Sequence, residues 1–427
     1  MSKFNPIVET VDEYGVLKAI KARAYPLEQY DDLDLFLQAI GDTKIVMLGE
    51  DTHGTHEFYT WRNMISRRLI LEKGFNIIAA QGDMAEGYRI NSFIKNSSGQ
   101  PEKAAEVLLS FTSWPAWLWA NREMAAFVDW LQKYNRTLPN NNDISFYGLD
   151  GFSLWQSLEA ILQYLSQHHP DALSSARAAY QCFEPYRNPE TNAYGDALPI
   201  VPSEDEKAVI ELLGNLRQKT LTGLCASGDA LCHQIQTSLL AQARAYYQTM
   251  IHGGVSAWNS REQHMTDLLD KLMQHHGPQA KTIVWAHNTH IGDARASVLL
   301  DRGMYNIGEL IRYRHPGKVF IAGFGTYRGS VTAASQWGAR MEKMELPPAR
   351  PGSWDHLLHR AKPGNKLLFM NEFREPWFTE DRLDLRAIGV VYNPRLDAYH
   401  NYVSSELASR YDAFLHIDVT SSLQNLP

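Results

Sequence analysis

One short stretch, GEDTHGTHEFYTWR, crowds Glu50, Asp51, His53, His56, Glu57 and Arg62 together. Histidine titrates near neutral pH, so it can take a proton from water and return it to a leaving alkoxide. A carboxylate beside it fixes the tautomer and raises its basicity, which makes His53 with Glu50 the first candidate for a general base. His56 and Glu57 stand where residues that open a helix would stand. A second stretch, VWAHNTHIGDAR, places His287, Asn288 and His290 directly after an apolar run. Two imidazoles there are candidates for stabilising a transition state or holding a carbonyl; the plain alternative for His290 is a bond to a loop carbonyl.

Other chemistries find little anchorage. There is no GxSxG elbow, no HExxH helix, no P-loop and no GxGxxG fingerprint after the first strand, and no cysteine lies beside the histidines. Glu50, His53, Asp83 and His287 are ligand-competent residues on separate loops, so a metal-assisted hydrolase stays open as an alternative. The expectation is no metal and no cofactor. Three tryptophans, Trp114, Trp117 and Trp119, lie in FTSWPAWLWANREM and read as core packing or, lining a cleft, as walls for a bulky apolar substrate; Trp117 is taken as the substrate-binding candidate. In WNSREQHM, the helical spacing of Asn259, Arg261 and His264 favours core or surface roles.

The elements that must position these residues are legible as short apolar runs separated by helical patterns, the mark of an α/β protein. Strands are expected at Lys44 to Leu48, Asn76 to Ala80, Ile144 to Tyr147, Lys281 to Trp285, Lys318 to Gly323, Lys366 to Met370 and Ala387 to Tyr392, with Phe414 to Ile417 as a last one. The fold class is therefore a mixed, largely parallel sheet flanked by helices, with a helical subdomain inserted before the fourth strand. Residues 1–150 and 278–427 form the expected catalytic core, and 151–277 the subdomain, with helical periodicity in SLWQSLEAILQYLSQHH, EDEKAVIELLGNLRQKTL and Leu231 to Met250. Between the first two runs, Asn188 to Glu204 reads as a loop, with Ser203 as N-cap of the next helix. GEDTHGTHEF, QGDMAEGYR, GLDG, AHNTHIGDAR and FGTY each follow a strand, and loops at the carboxyl ends of such strands converge on one crevice.

A formal net charge of -7 lacks the positive field that phosphate backbones require, so nucleic acid is not an expected partner. The N-terminus carries no signal-peptide pattern and no run reaches membrane-span length, which leads to the expectation of a cytoplasmic protein with no membrane partner; the oligomeric state is not legible. Cys182, Cys225 and Cys232, an odd number without CxxC spacing, read as reduced thiols.

Six blocks, GEDTHGTHEFYTWRNMISRRLILEKGF, YGLDGFSLWQSLEAI, WNSREQHM, VWAHNTHIGDAR, NIGELIR and FIAGFGTYRGSVTAAS, resemble successive signatures of the erythromycin esterase family, in its order and spacing from about Lys44 to Asp418. The resemblance implies a mixed α/β sheet with a helical subdomain and hydrolysis of a small-molecule ester or lactone; the family's founding members open macrolide lactones. It places the family's general base on His53, its loop glutamate on Glu50, its helix arginine on Arg62 and its paired histidines on His287 and His290. Glu57 matches a recurring family acid. Gln81 and Asp83 fall in the block that departs from the pattern, because the family commonly has glutamate where Gln81 stands. Glutamine keeps hydrogen bonding but offers no carboxylate. In this reading His53 activates water, Glu50 orients it, His287 or Arg62 stabilises the oxyanion, and His290, Gln81, Asp83, Glu57 and Trp117 contact substrate. The alternative from another class is a binding homologue weakened by Gln81.

Overall fold

The computed structural model describes residues 12–427 apart from 98, 112–113, 140–142, 174–175, 177–199, 223 and 226–228. Its strands are β1 (Tyr25–Pro26), β2 (Ile45–Leu48), β3 (Ile77–Asp83), β4 (Ser145–Asp150), β5 (Thr282–Trp285), β6 (Val319–Ala334), β7 (Met341–Leu346), β8 (Lys366–Phe369), β9 (Leu383–Arg386), β10 (Tyr402–Ser405) and β11 (Ala413–Thr420). Nine of them form one sheet in the order β1-β8-β11-β6-β2-β5-β3-β4, with β7 paired to β6, and β9 pairs with β10 separately. The run from β11 through β4 is parallel, while β8 is antiparallel to β11 and β7 to β6.

The central strands are apolar throughout because both faces of the sheet are covered. Side chains alternate across β2: Ile45 and Met47 join one buried cluster, Val46 and Leu48 the other. The second cluster holds Phe58, Ile65 and Phe127 from the helices His56–Lys73 and Arg122–Asn135. The first takes Leu158, Leu213, Ile235 and Leu269 from the helices Leu154–His168, Glu206–Leu221, Ala230–His252 and Gly254–His276, which fill the region between β4 and β5. These helices thus share an apolar interior with one face of the sheet.

Several expectations need correction. Ala387 to Tyr392 is buried but is not a strand: only Ile388 and Val391 form isolated bridges, to Thr52 and Ala334. Its backbone braces the first polar loop instead, since Ile388 N donates to the Asp51 carbonyl at 2.7 Å. The fifth expected strand runs on to Ala334 as β6. Ser203 is not a cap; the helix begins at Glu206 after Asp205. The expected loop from Asn188 lies mostly outside the described residues, as does Cys182. Cys225 and Cys232 are joined in a disulfide, because the turn into the helix Ala230–His252 brings their Cα atoms to 5.5 Å. Among the described residues no helix is long and apolar enough to cross a membrane.

Candidate active site

Five adjacent strands, β6, β2, β5, β3 and β4, end on one side of the sheet, and the polar loops that follow them meet there. The loop after β2 is held from behind by β6: Thr332 N donates to the Gly54 carbonyl at 3.0 Å. Any side chain on Gly54 would collide with the Thr332 backbone, so glycine is required for this approach. Asp51, fully buried, accepts the Thr326 N–H of β6 at 3.0 Å, and its carboxyl is pushed well up, first by burial and then by Asp355.

On this loop the Glu50 carboxylate is shared. Oε1 takes His53 Nδ1 at 2.9 Å, and Oε2 takes Arg62 Nη2 at 2.7 Å from one turn into the helix His56–Lys73. Glu50 and Arg62 are buried at 4 % and 2 % exposure, whereas the His53 side chain keeps 12 %. The Arg62 guanidinium lies over the rings of Tyr59 and Trp285. With Nδ1–H donated to a charge-compensated carboxylate, the lone pair of His53 is on Nε2.

The loop after β5 brings His287 to His53, with ring centroids 4.8 Å apart. Its ring polarity is set locally: Nδ1 accepts from Thr289 N at 3.2 Å, which leaves Nε2–H to donate to the Asp51 carbonyl at 3.1 Å. The bond to a loop carbonyl considered for His290 is thus made by His287. Asn288 copies a strand, with its amide donating to Phe324 O at 2.6 Å and accepting from Phe324 N at 3.3 Å, and so locks the loop to β6. His290 stacks on Trp258 at 4.7 Å and bonds Glu262 Oε1 through Nδ1 at 2.6 Å. Glu262 Oε2 accepts Ile307 N at 2.9 Å. Burial pushes the Glu262 carboxyl up to about 8 and both His287 and His290 well below the usual imidazole range; Arg261 adds to the shift at His290, and the neighbouring His53 at His287. The pair is therefore neutral, with the proton on Glu262 Oε1 directed to Nδ1 and the His290 proton on Nε2.

Gln81 closes the back of this group, its Oε1 accepting His287 N–H at 2.9 Å, and it also lines an adjoining cleft with Asp83, Glu86, Asp150, Trp114 and Trp119. Gly82 has no side chain where the Trp119 indole lies against the strand end. Asp83 caps the helix Met84–Ile94 and is bonded by Ser153 and by Arg217 from the helix Glu206–Leu221. Two candidates lie elsewhere. The Glu57 carboxylate accepts Ser421 N and Ser421 Oγ, both at 2.7 Å, and so fastens the C-terminal segment. Trp117 is buried in the core cluster, and the indoles in the cleft are its neighbours Trp114 and Trp119. His56 pairs with Glu123 at 2.5 Å, a contact that raises the imidazole pKa.

A family model described as erythromycin esterase matches residues 70–420. The chain belongs to the erythromycin esterase family. An Escherichia coli protein described as erythromycin esterase type II is 22% identical over 438 residues, spanning 93% of this chain and 94% of that protein. Among solved structures, a succinoglycan biosynthesis protein superposes with a TM-score of 0.66 at 23% identity, covering 97% of this chain and 98% of its own. A Bacillus cereus protein gives 0.68 at 18%, covering 97% and 100%, and an erythromycin esterase mutant in its open conformation gives 0.58 at 13%, covering 95% and 97%. At these identities the superpositions show a shared fold. Membership of the erythromycin esterase family supports a hydrolase acting on a small-molecule ester.

Within this erythromycin esterase family fold, the sequence reading missed Glu262 and Arg217, each far along the chain from its partner. Arg261 holds Asp150 at 3.3 Å, so the helix Gly254–His276 serves two loops with consecutive residues. His264 of the same helix packs against Phe152, in keeping with a core role. Among the described residues, no group of three or more His, Cys, Asp or Glu side chains could hold a metal ion.

Proposed function

We propose that this chain hydrolyses a bulky carboxylic ester or lactone, a macrolide being the first case to test, with water activated by His53. The observation that carries the reading is the Glu50 carboxylate held between His53 and Arg62 at the carboxyl end of a central strand. His53 Nε2 takes a proton from water as the oxygen attacks the carbonyl carbon, and the acyl–oxygen bond of the tetrahedral intermediate then breaks. The proton on His53 passes to the leaving alkoxide. Glu50 favours the imidazolium that forms between these steps, and Arg62 holds that carboxylate in place through its second oxygen. His290, with its proton on Nε2, is the imidazole that supplies an N–H toward the developing oxyanion, because His287 spends its own on the Asp51 carbonyl.

Gln81 supports this reading over a weakened binding homologue. Its oxygen accepts a backbone N–H, a task that an amide performs as well as a carboxylate. The test is mass spectrometry of macrolides and other lactones incubated with the protein in heavy-oxygen water. Ring opening gives one product heavier by one water, with the label in the new carboxylate; binding without mass change would replace hydrolysis by ligand recognition. Activity is expected to survive exhaustive chelation, and loss restored by one added metal would favour metal-assisted hydrolysis instead. The proposed compartment is the cytoplasm, and cell fractionation that recovers the protein outside the cytoplasmic fraction would argue for another one.

A further inference from the structure

A second cavity lies away from the histidines, at the edge of the sheet where β4 ends the strand order. The helices Met84–Ile94, Ala230–His252 and Gly254–His276 close over that edge and bound about 270 Å³. The cavity shares no lining residue with the cleft beside Gln81. The helix Met84–Ile94 divides the two: Glu86 lines the cleft, while Met84, Tyr88 and Asn91, spaced to share one helical face, line the cavity.

The two ends of the cavity differ in chemistry. The inner end is apolar and buried, formed by Met84, Leu231, Ile235, Leu268 and Leu272. The outer end, about three helical turns from Met84, holds Lys95, Ser97, His275 and His276, of which Ser97 and His275 are exposed. Lys95 Nζ has no hydrogen-bonding or ionic partner among the described residues. Burial lowers the pKa of this half-buried ammonium, against the opposing pull of Asp143 and Asp229. Burial first, and then Lys95, push the His276 imidazole down to about 4, which leaves it neutral with Nε2 against the Tyr147 hydroxyl at 3.0 Å. Asp229 is the one carboxylate among the described lining residues, and both its oxygens are engaged, Oδ1 by Cys232 N and Oδ2 by the Tyr88 hydroxyl, each at 2.9 Å. A cationic rim over an apolar end fits a small anion with a hydrocarbon tail. The anion supplies the partner that the ammonium lacks, and the tail covers the inner wall.

We propose that this cavity binds an aliphatic monocarboxylate of medium length, with its carboxylate on Lys95 and its chain laid along the helix Met84–Ile94 toward Met84. At about 270 Å³ the cavity stands at the small end of ligand sites, too small for the bulky ester of the cleft. The inference is independent of the hydrolase reading.

The test is calorimetric titration of the whole chain with octanoate, hexanoate and octanol near neutral pH. Octanoate should bind about tenfold more tightly than octanol, the scale of one charge-assisted hydrogen bond, and each methylene gained from hexanoate to octanoate should bring about fourfold. Lys95→Met removes the charge and keeps the stem, so it should bring octanoate to the level of octanol and leave octanol unchanged. Leu272→Trp fills the inner end and should abolish binding of all three, with its fold checked by the melting curve. If that variant does not fold, the Lys95→Met comparison decides alone. Octanoate that fails to bind at millimolar concentration overturns the site, and so does octanoate bound equally well by Lys95→Met, which would place the acid elsewhere on the protein. Octanol bound as tightly as octanoate would overturn the carboxylate as the ligand's class.

Discussion

Two acid–histidine pairs stand at the ends of β2 and β5, and their surroundings differ in whether a guanidinium is bonded to the acid. At His53 the carboxylate is compensated by Arg62 and the imidazole keeps some exposure. At His290 the carboxyl has no guanidinium bonded to it, both members are buried, and the pair is neutral with its proton on the acid. The same two side chains thus make a dyad braced by a guanidinium in one place and a neutral, buried one a strand away. What separates them is one arginine and a few per cent of exposure, which is how a site obtains a proton acceptor and a proton donor from one residue type.

The largest effect expected from breaking this contrast is at the acceptor. His53→Ala should lower kcat/KM by ~10² to 10⁴ with an unchanged melting curve, the usual loss of a positioned base. Near-normal turnover in a folded variant would move the base elsewhere, and His290 would be the next to replace. Arg62→Met should come second: it strands the buried Glu50 charge and should cost about 3 kcal/mol in urea denaturation, in the range for removing one member of a buried ion pair. A cost near zero would mean that Glu50 takes up a proton rather than a charge.

At the donor the expected change is smaller and depends on pH. Glu262 holds its proton up to about 8 when folded, and an unfolded glutamate releases it near 4.3. Between those values the unfolded chain binds fewer protons, so this carboxyl makes stability fall as pH rises. His287 and His290 act in the other direction: their depressed pKa values give stability that is present above about 6.5 and lost as pH falls. Glu262→Gln removes only the first slope, so the variant should gain on the unaltered protein between about pH 5 and pH 8 in paired urea titrations. A constant difference would show Glu262 to be ionised and the neutral pair with His290 to be wrong. Smallest of all, Gln81→Glu should change kcat/KM by no more than about threefold, because either residue accepts the His287 N–H. A large gain would revive the view that glutamine weakens this protein.

Much of this was legible in the chain because strand ends concentrate it. Glu50, His53 and Arg62 fall within thirteen consecutive residues, and β2 and β5 are short runs buried on both faces that read as apolar blocks. What escaped depends on packing between distant segments. Glu262 lies on a helix among core-facing residues, and only the folded chain shows that its partner is His290 rather than solvent. Trp114, Trp117 and Trp119 are indistinguishable by spacing, yet a short turn sends the middle one into the core. The charged alternation of MEKMEL hid β7, and the apolar composition of Ala387 to Tyr392 suggested a strand where the chain instead passes beneath the active loop. The Cys225–Cys232 bond needed the helix start between them to be located.

β6 is sixteen residues long, four times the length of β2, and from Ser330 onward it runs beyond its parallel pairing with β11. There it pairs with β7 and backs the Gly54 carbonyl through Thr332. The height at which His53 sits is thus gauged by a strand that comes far along the chain from its loop. Grafting GEDTHGTHEF onto another sheet would carry over the letters but leave the gauge behind. A single residue inserted ahead of Thr332 would reset it without touching the loop at all.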